Sequence, residues 1–109
     1  MSSRSLRLAA LLVAAGALTV PPVPARAQGV DPCAAIICLG GLLVGQDGGS
    51  SCVASVGAYF AIQVIDMIGF DAPLTLVART AWLNTCPAPG MSETIDAVSA
   101  AYGELPDAP

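Results

Sequence analysis

Apolar residues recur at helical spacing in several stretches of this chain, and glycine-rich or polar segments separate them. The first predicted helix spans residues 32–39. Asp31 is a suitable N-cap, and Pro32 suits the first helical position because its missing N–H would be unpaired there. Gly40 and Gly41 are expected to end this helix, and residues 40–51 to form a glycine-rich surface loop.

The second predicted helix begins at Cys52 or Val53 and runs to about Ile68, where Gly69 ends it. Its apolar residues recur at steps of three and four, as one helical face requires: Val53, Val56, Phe60, Val64, Met67 and Ile68. We expect it to be the central and most buried helix. With Gln63 and Asp66 inside it and only about 16 residues of length, it is a core helix and not a membrane span.

Two further helices complete an all-α prediction, a small disulfide-stapled bundle of about four helices. The third is expected from Ala72 or Pro73 to about Asn84, and the fourth has Ser92 as its N-cap and ends at Gly103. The predicted buried stripe of the third is Leu74, Val77, Ala78, Ala81 and Trp82, and that of the fourth is Ile95, Val98 and Tyr102. The acidic, proline-containing tail, residues 104–109, is predicted to be flexible.

The N-terminus has the pattern of an export signal. Arg4 and Arg7 precede an apolar run over residues 8–20, which is shorter than the roughly 20 residues needed to span a bilayer. Prolines follow, and then Ala25 and Ala27 supply small residues where a signal peptidase reads them. We therefore predict a signal peptide over residues 1–27, cleavage after Ala27, and a single mature domain over residues 28–109.

Cleavage would change the charge of the chain. The net charge of −4 includes four Lys and Arg residues, three of which lie before residue 28. The mature chain keeps Arg79 as its one cation and all eight acidic residues, so its net charge is −7. Nucleic acid and anionic lipid surfaces are therefore poor partners.

The four cysteines, Cys33, Cys38, Cys52 and Cys86, predict two disulfides in an oxidising compartment such as the periplasm. Their spacing and the lack of histidine do not fit a zinc site. Five residues along a helix separate Cα atoms by roughly 8 Å, too far for Cys33 to pair with Cys38. A short turn would make the second and third helices antiparallel and place Cys52 and Cys86 at the same end, where two bridges would hold the first helix. Of the two pairings that this allows, we slightly prefer Cys33–Cys86 with Cys38–Cys52. The pairing Cys33–Cys52 with Cys38–Cys86 stays open.

Catalytic chemistry has few candidates in this chain. It contains no histidine, no free cysteine is expected, and the acidic residues form no evident catalytic pair. We therefore predict no enzyme activity, no catalytic residue, no metal and no cofactor. Arg79 is expected to be structural, either paired with Asp66 or Asp71 or bound to helix carbonyls.

The order of these elements resembles the TrbM/KikA/MpfK family of conjugal transfer proteins. The resemblance lies in the segment from Asp31 to Leu39 and, after a glycine-rich loop, in Cys52, Tyr59-Phe60 with Ile62, Phe70-Asp71, Thr75, Arg79, Cys86-Pro87 and Ala101-Tyr102-Gly103. It implies a small periplasmic protein of the mating-pair-formation, type IV secretion apparatus, with protein components of that apparatus as partners. One departure is the scarcity of basic residues, which argues against a cationic binding surface.

Two function hypotheses follow. The first is a non-enzymatic periplasmic accessory of conjugative transfer that acts by protein–protein interaction. The alternative is a stand-alone periplasmic binding or inhibitor module for a lipid or protein ligand, which the very apolar second helix suggests.

Overall fold

The computed structural model describes residue 24 and residues 27–109, which fold into four helices. They are α1 (Pro32–Leu43), α2 (Ser50–Ala61), α3 (Ala72–Leu83) and α4 (Ser92–Tyr102). Within the described residues, β-pairing is limited to one isolated antiparallel bridge between Ile65 and Phe70. The all-α, disulfide-linked prediction is confirmed.

Helix α1 begins as predicted, but it continues past its two glycines. The Asp31 carboxylate accepts from the Cys33 N–H at 2.9 Å, and Pro32 occupies the first turn. The predicted end at Gly40 and Gly41 is wrong, and Gly40 instead allows another helix to approach α1. A Cβ on Gly40 would lie 3.0 Å from Cγ2 of Thr94 on α4. The helix ends at Leu43, and Gly45 then takes φ +81°, a conformation that glycine adopts without strain.

Helix α2 starts near its predicted position but ends at Ala61, so the prediction of a helix to Ile68 is wrong. After Ala61 the chain makes non-helical hydrogen bonds: the Asp71 N–H donates to the Val64 carbonyl at 2.8 Å, and the Val64 N–H to Thr75 Oγ1 at 3.0 Å. The apolar spacing after Ala61 is compatible with a helix, but hydrogen bonds to Asp71 and Thr75 hold the backbone in a non-helical conformation. Of the predicted stripe, Val53, Met67 and Ile68 are exposed.

Helices α3 and α4 lie close to their predicted positions, but only part of the stripe predicted for α3 is buried: Trp82 is buried and Ala78 packs against the core, whereas Ala81 is exposed. Leu74 and Val77 point to solvent, and the buried side chains of α3 are Thr75, Arg79, Trp82 and Leu83. Polar groups with good hydrogen-bond partners take the inner face, so hydrophobicity alone misplaced it. In α4, Ile95 and Val98 are buried as predicted, and Met91 occupies the N-cap position that was predicted for Ser92.

The central helix is α1, so the prediction that the second helix is central is wrong. Ala35, Ile36 and Leu39 are fully buried, and α1 packs against each of the other three helices. Helix α2 packs chiefly on α1, while α3 also packs on α4. Helix α1 is central because small residues, including Gly40 and Ala35, let its neighbours come close on several sides. The second and third helices are therefore not the pair around which the fold forms.

The predicted signal peptide falls almost wholly outside the described residues, since residues 1–23, 25 and 26 are not among them. Ala27, at its end, is buried against the core, and its N–H donates to the Pro24 carbonyl at 2.9 Å. Among the residues that the structure describes, no helix combines the length and apolarity needed to cross a membrane.

Candidate interaction site around Arg79

Two disulfides attach α1 to its neighbours. Cys33, in the first turn of α1, bonds to Cys86 after α3, with Cα atoms 5.0 Å apart. Cys38, half-way along α1, bonds to Cys52 in the first turn of α2, with Cα atoms 5.5 Å apart. Both Cα separations suit disulfides. This is one of the two pairings that the sequence leaves open.

The opposite end of α2 is held by Arg79. Its side chain is 0% exposed, and its guanidinium donates to five backbone carbonyls. Two belong to the end of α2, Ile62 at 3.0 Å and Phe60 at 3.3 Å. Three belong to the end of α4 and the tail: Tyr102 at 3.1 Å, Gly103 at 3.2 Å and Leu105 at 2.6 Å. One α3 side chain thus connects α3 to the end of α2 and to the segment formed by the end of α4 and the tail.

The charge of Arg79 is compensated without a direct carboxylate partner among the described residues. Carbonyls at the C-termini of α2 and α4 carry the negative ends of two helix dipoles, each equivalent to about half a charge. The guanidinium carbon also lies 5.1 Å from the ring centre of Tyr59 and 4.9 Å from that of Phe60. Burial lowers the pKa of Arg79, which arginine tolerates while keeping its proton.

Tyr59 is the least satisfied member of this cluster. Its side chain is fully buried, and its hydroxyl has no hydrogen-bond partner within the described part of the chain. Burial raises the pKa of Tyr59 to about 12, against a smaller lowering from the nearby Arg79 charge. The hydroxyl therefore stays protonated at neutral pH. Because it is buried without a hydrogen bond to any described residue, it lowers the stability of the fold.

The structure does not bring Asp66 or Asp71 into the hydrogen-bond set of Arg79. The Asp66 carboxylate accepts from the Ile68 and Gly69 N–H groups at 2.8 and 3.1 Å, and that of Asp71 caps α3 through Leu74 N–H at 2.9 Å. These hydrogen bonds lower the pKa of Asp66, and the one from the Ile68 N–H has the largest effect. Of the interpretations of Arg79, binding to helix carbonyls is the one that the geometry shows.

Between α2 and α3 lies an ordered turn with three exposed apolar side chains. This apolar turn consists of Ile65, Met67 and Ile68. Ile65 is 61% exposed, Ile68 is 98% exposed, and Met67 is completely exposed. Besides the Asp66 side chain, backbone bonds between Asp66 and Gly69 hold it, at 2.9 and 3.2 Å. Sequence reasoning missed it, although an Asp followed three residues later by Gly is a turn signal.

The C-terminal tail, predicted to be flexible, is fastened to the base of this turn. Leu105 contributes a carbonyl to Arg79, and the Pro106 carbonyl accepts from Gln63 Nε2 at 2.8 Å. These hydrogen bonds hold the tail as far as Pro106. Flexibility remains a prediction for the residues after it.

A second surface feature is an open groove of about 490 Å³ next to the Cys38–Cys52 disulfide. Its apolar wall is formed by Leu42, Val53 and Val56, and the end of the tail, Ala108 and Pro109, lies along it. Asp47 is the charged residue at its rim. Among the described residues, no group of three or more His, Cys, Asp or Glu side chains is placed to hold a metal ion.

Comparison with known proteins gives one match. The family model described as TrbM matches residues 30–108, which is nearly the whole described domain. No curated protein and no solved structure matches this chain.

Proposed function

Because this chain belongs to the TrbM family, which is associated with conjugal transfer, we propose that it is a periplasmic accessory of mating-pair formation. In this proposal it is not an enzyme, and it acts by contact with protein components of a type IV secretion apparatus. It needs no cofactor, and nucleic acid is not a partner.

The family match carries the proposal, and two features of the domain support it. Two disulfides suit an oxidising compartment such as the periplasm. Residues 28–109 hold eight carboxylates and one cation, and that cation, Arg79, is buried in carbonyl contacts. An acidic surface without imidazole or thiol groups suits binding to a basic protein better than catalysis.

Donor cells carrying an in-frame deletion of the gene test the proposal. We expect mating frequency to fall, wild-type protein to restore it, and the double variant Cys33→Ser with Cys86→Ser to fail. Immunoblots should show whether this variant accumulates, and N-terminal sequencing of exported protein should begin at Gln28. An unchanged mating frequency after deletion would refute a role in transfer.

The groove beside the Cys38–Cys52 disulfide favours a second candidate, a binding module for an apolar ligand such as lipid. Its volume of about 490 Å³ lies within the usual range of ligand sites. Purified domain incubated with a radiolabelled fatty acid should retain it, with competition by detergent, if this candidate is correct. No retention at micromolar protein would eliminate it.

A further inference from the structure

The apolar turn combines two properties that surface loops rarely share. Its backbone is fixed by the hydrogen bonds around Asp66 and by the attachment of Val64 to Thr75 and Asp71. Two of its side chains, Met67 and Ile68, bury almost no surface in the fold, and the third, Ile65, is 61% exposed. A preordered apolar projection binds with a small entropy loss, because its backbone is already immobile.

The surroundings of the apolar turn are acidic. Asp66 lies within it and Asp71 follows it, and their carboxyl groups are close enough to interact. Asp107 comes directly after Pro106, whose carbonyl is bound to Gln63 at the base of the turn. Arg79, the one Lys or Arg of residues 28–109, is buried and acts on Asp107, whereas Asp66 and Asp71 make no ion pair among the described residues.

We infer that the apolar turn is the docking surface of this domain, and that its partner is a protein with an apolar pocket rimmed by Lys or Arg. This inference rests on the proposed function for its setting and adds the contact surface and the partner chemistry. Met67 and Ile68 enter the pocket, and Asp66 and Asp71 face the basic rim. Complementary charge of this kind speeds association and fixes the orientation of the partners.

Charge selects this occupant over the two other candidates. A second copy of the domain would bring a second net charge of −7 and the same carboxylates to the contact. An anionic lipid surface would also repel the acidic ring, and the turn carries no Lys or Arg to bind headgroups. Neither objection applies to a basic protein surface.

Complementation of the deletion strain with matched variants tests the surface. The double variant Met67→Ser with Ile68→Ser should lower mating frequency about tenfold or more, the usual effect of removing central apolar anchors. The control is Ile37→Ser, which alters a 65% exposed isoleucine on α1 and should transfer like wild type. Thermal melting of purified proteins should show both variants folded. If deletion lowers mating frequency, a turn variant that folds and transfers at the wild-type frequency would overturn the inference; if deletion has no effect, the cross-linking experiment decides.

A second pair of substitutions tests the charge. Asp66→Asn and Asp71→Asn keep the oxygen that accepts from Ile68 and Gly69 or caps α3, so the backbone should be preserved. Together they should reduce transfer, because the basic rim loses the two carboxylates that face it. Transfer at the wild-type frequency by the double variant would overturn the basic rim.

Photo-cross-linking separates failure of this inference from failure of the proposed function. A photoreactive amino acid at position 68, compared with position 37, is activated in donor cells, and the joined peptides are identified by mass spectrometry. A product specific to position 68, on a partner segment rich in Lys or Arg, and weakened by Asp66→Asn with Asp71→Asn, supports the docking surface even if deletion leaves mating unchanged. Absence of a position-specific product, a product joining two copies of this chain, or one joining lipid would overturn it.

Discussion

The two ends of α2 are held by different chemistry. At its start, Cys52 is covalently bonded to Cys38 of α1; at its end, the carbonyls of Phe60 and Ile62 receive the buried guanidinium of Arg79. Helix α2 packs chiefly on one neighbour, so anchoring at both ends replaces contacts that a more central helix would have. The first anchor depends on an oxidising environment, whereas the second requires only that α3, α4 and the tail are in place.

Removing the polar anchor should have the largest effect. Arg79→Met leaves the buried carbonyls of Phe60, Ile62 and Gly103 without donors, and we expect a loss of about 5 kcal/mol in the free energy of unfolding. Arg79→Lys, whose ammonium reaches fewer carbonyls, should cost about half as much and still fold. Urea unfolding of both variants measures this. Equal stability of Arg79→Met and wild type would show that the arginine does not hold the end of α2.

Removing the covalent anchors should have the next largest effect, with a defined order. The Cys33–Cys86 bond closes a separation of 53 residues, and its loss as a Ser double variant should cost about 4 kcal/mol. The Cys38–Cys52 bond closes 14 residues, and its loss should cost about 3 kcal/mol. Thermal melting orders the two variants, and peptide mapping without reduction tests the pairing. Recovery of a Cys33–Cys52 peptide would contradict it.

A methyl group at Gly103 should disturb the polar anchor indirectly. A Cβ there would collide with the Leu76 side chain of α3 and lie 2.6 Å from the Ser99 carbonyl, so the segment that supplies carbonyls to Arg79 must move. We expect Gly103→Ala to cost about 2 kcal/mol, as overpacking usually does. Leu76→Ala in the same chain should recover part of the loss, and the failure of this rescue in urea unfolding would contradict the contact.

Alkaline pH should weaken the same cluster through Tyr59. Its pKa is raised to about 12 by burial, above the value of 10.0 of a free tyrosine. Between pH 10 and pH 12 the unfolded chain loses this proton while the folded chain keeps it. The free energy of unfolding should therefore be constant below pH 10 and fall by about 2 kcal/mol as the pH rises to 12, after allowance for solvent access.

Tyr59→Phe is the control for this pH dependence. It removes a buried hydroxyl that has no partner among the described residues, so it should raise stability at pH 7 by about 1 kcal/mol and abolish the alkaline slope. Urea unfolding at pH 7 and pH 11 measures both effects. A destabilised Tyr59→Phe variant would mean that the hydroxyl has a favourable partner.

Local signals were good at locating helices and poor at locating their inner faces. Asp31-Pro32 correctly marked the start of α1, and Asp71 caps α3 in the same way although it was not predicted to, because capping depends on side chains within three residues. The inner face of α3 includes Arg79 because carbonyls of distant residues accept its hydrogen bonds in the folded chain. No local pattern contains that information. The end of α2 was predicted wrongly for the same reason, since the Val64 N–H donates to the hydroxyl of Thr75, eleven residues further along the chain.

The candidate site shows the same division. The sequence identified Arg79 as structural and offered helix carbonyls among its partners, because a lone cation in an acidic chain has few other uses. It did not reveal the apolar turn, because Met67 and Ile68 fit a helical stripe as well as an exposed loop. Only the break in α2 at Ala61 puts them in solvent.

The sequence by itself determined the number of helices, the starting cap of the first helix, the supply of four cysteines and the acidic balance, since each depends on residue type and short-range spacing. The tertiary structure decided that α1 is central, that Gly40 is a packing site and not a helix end, and that Arg79 joins α2, α4 and the tail. These features depend on contacts between residues tens of positions apart. Their free energies exist only once the helices have packed, so no local pattern can encode them.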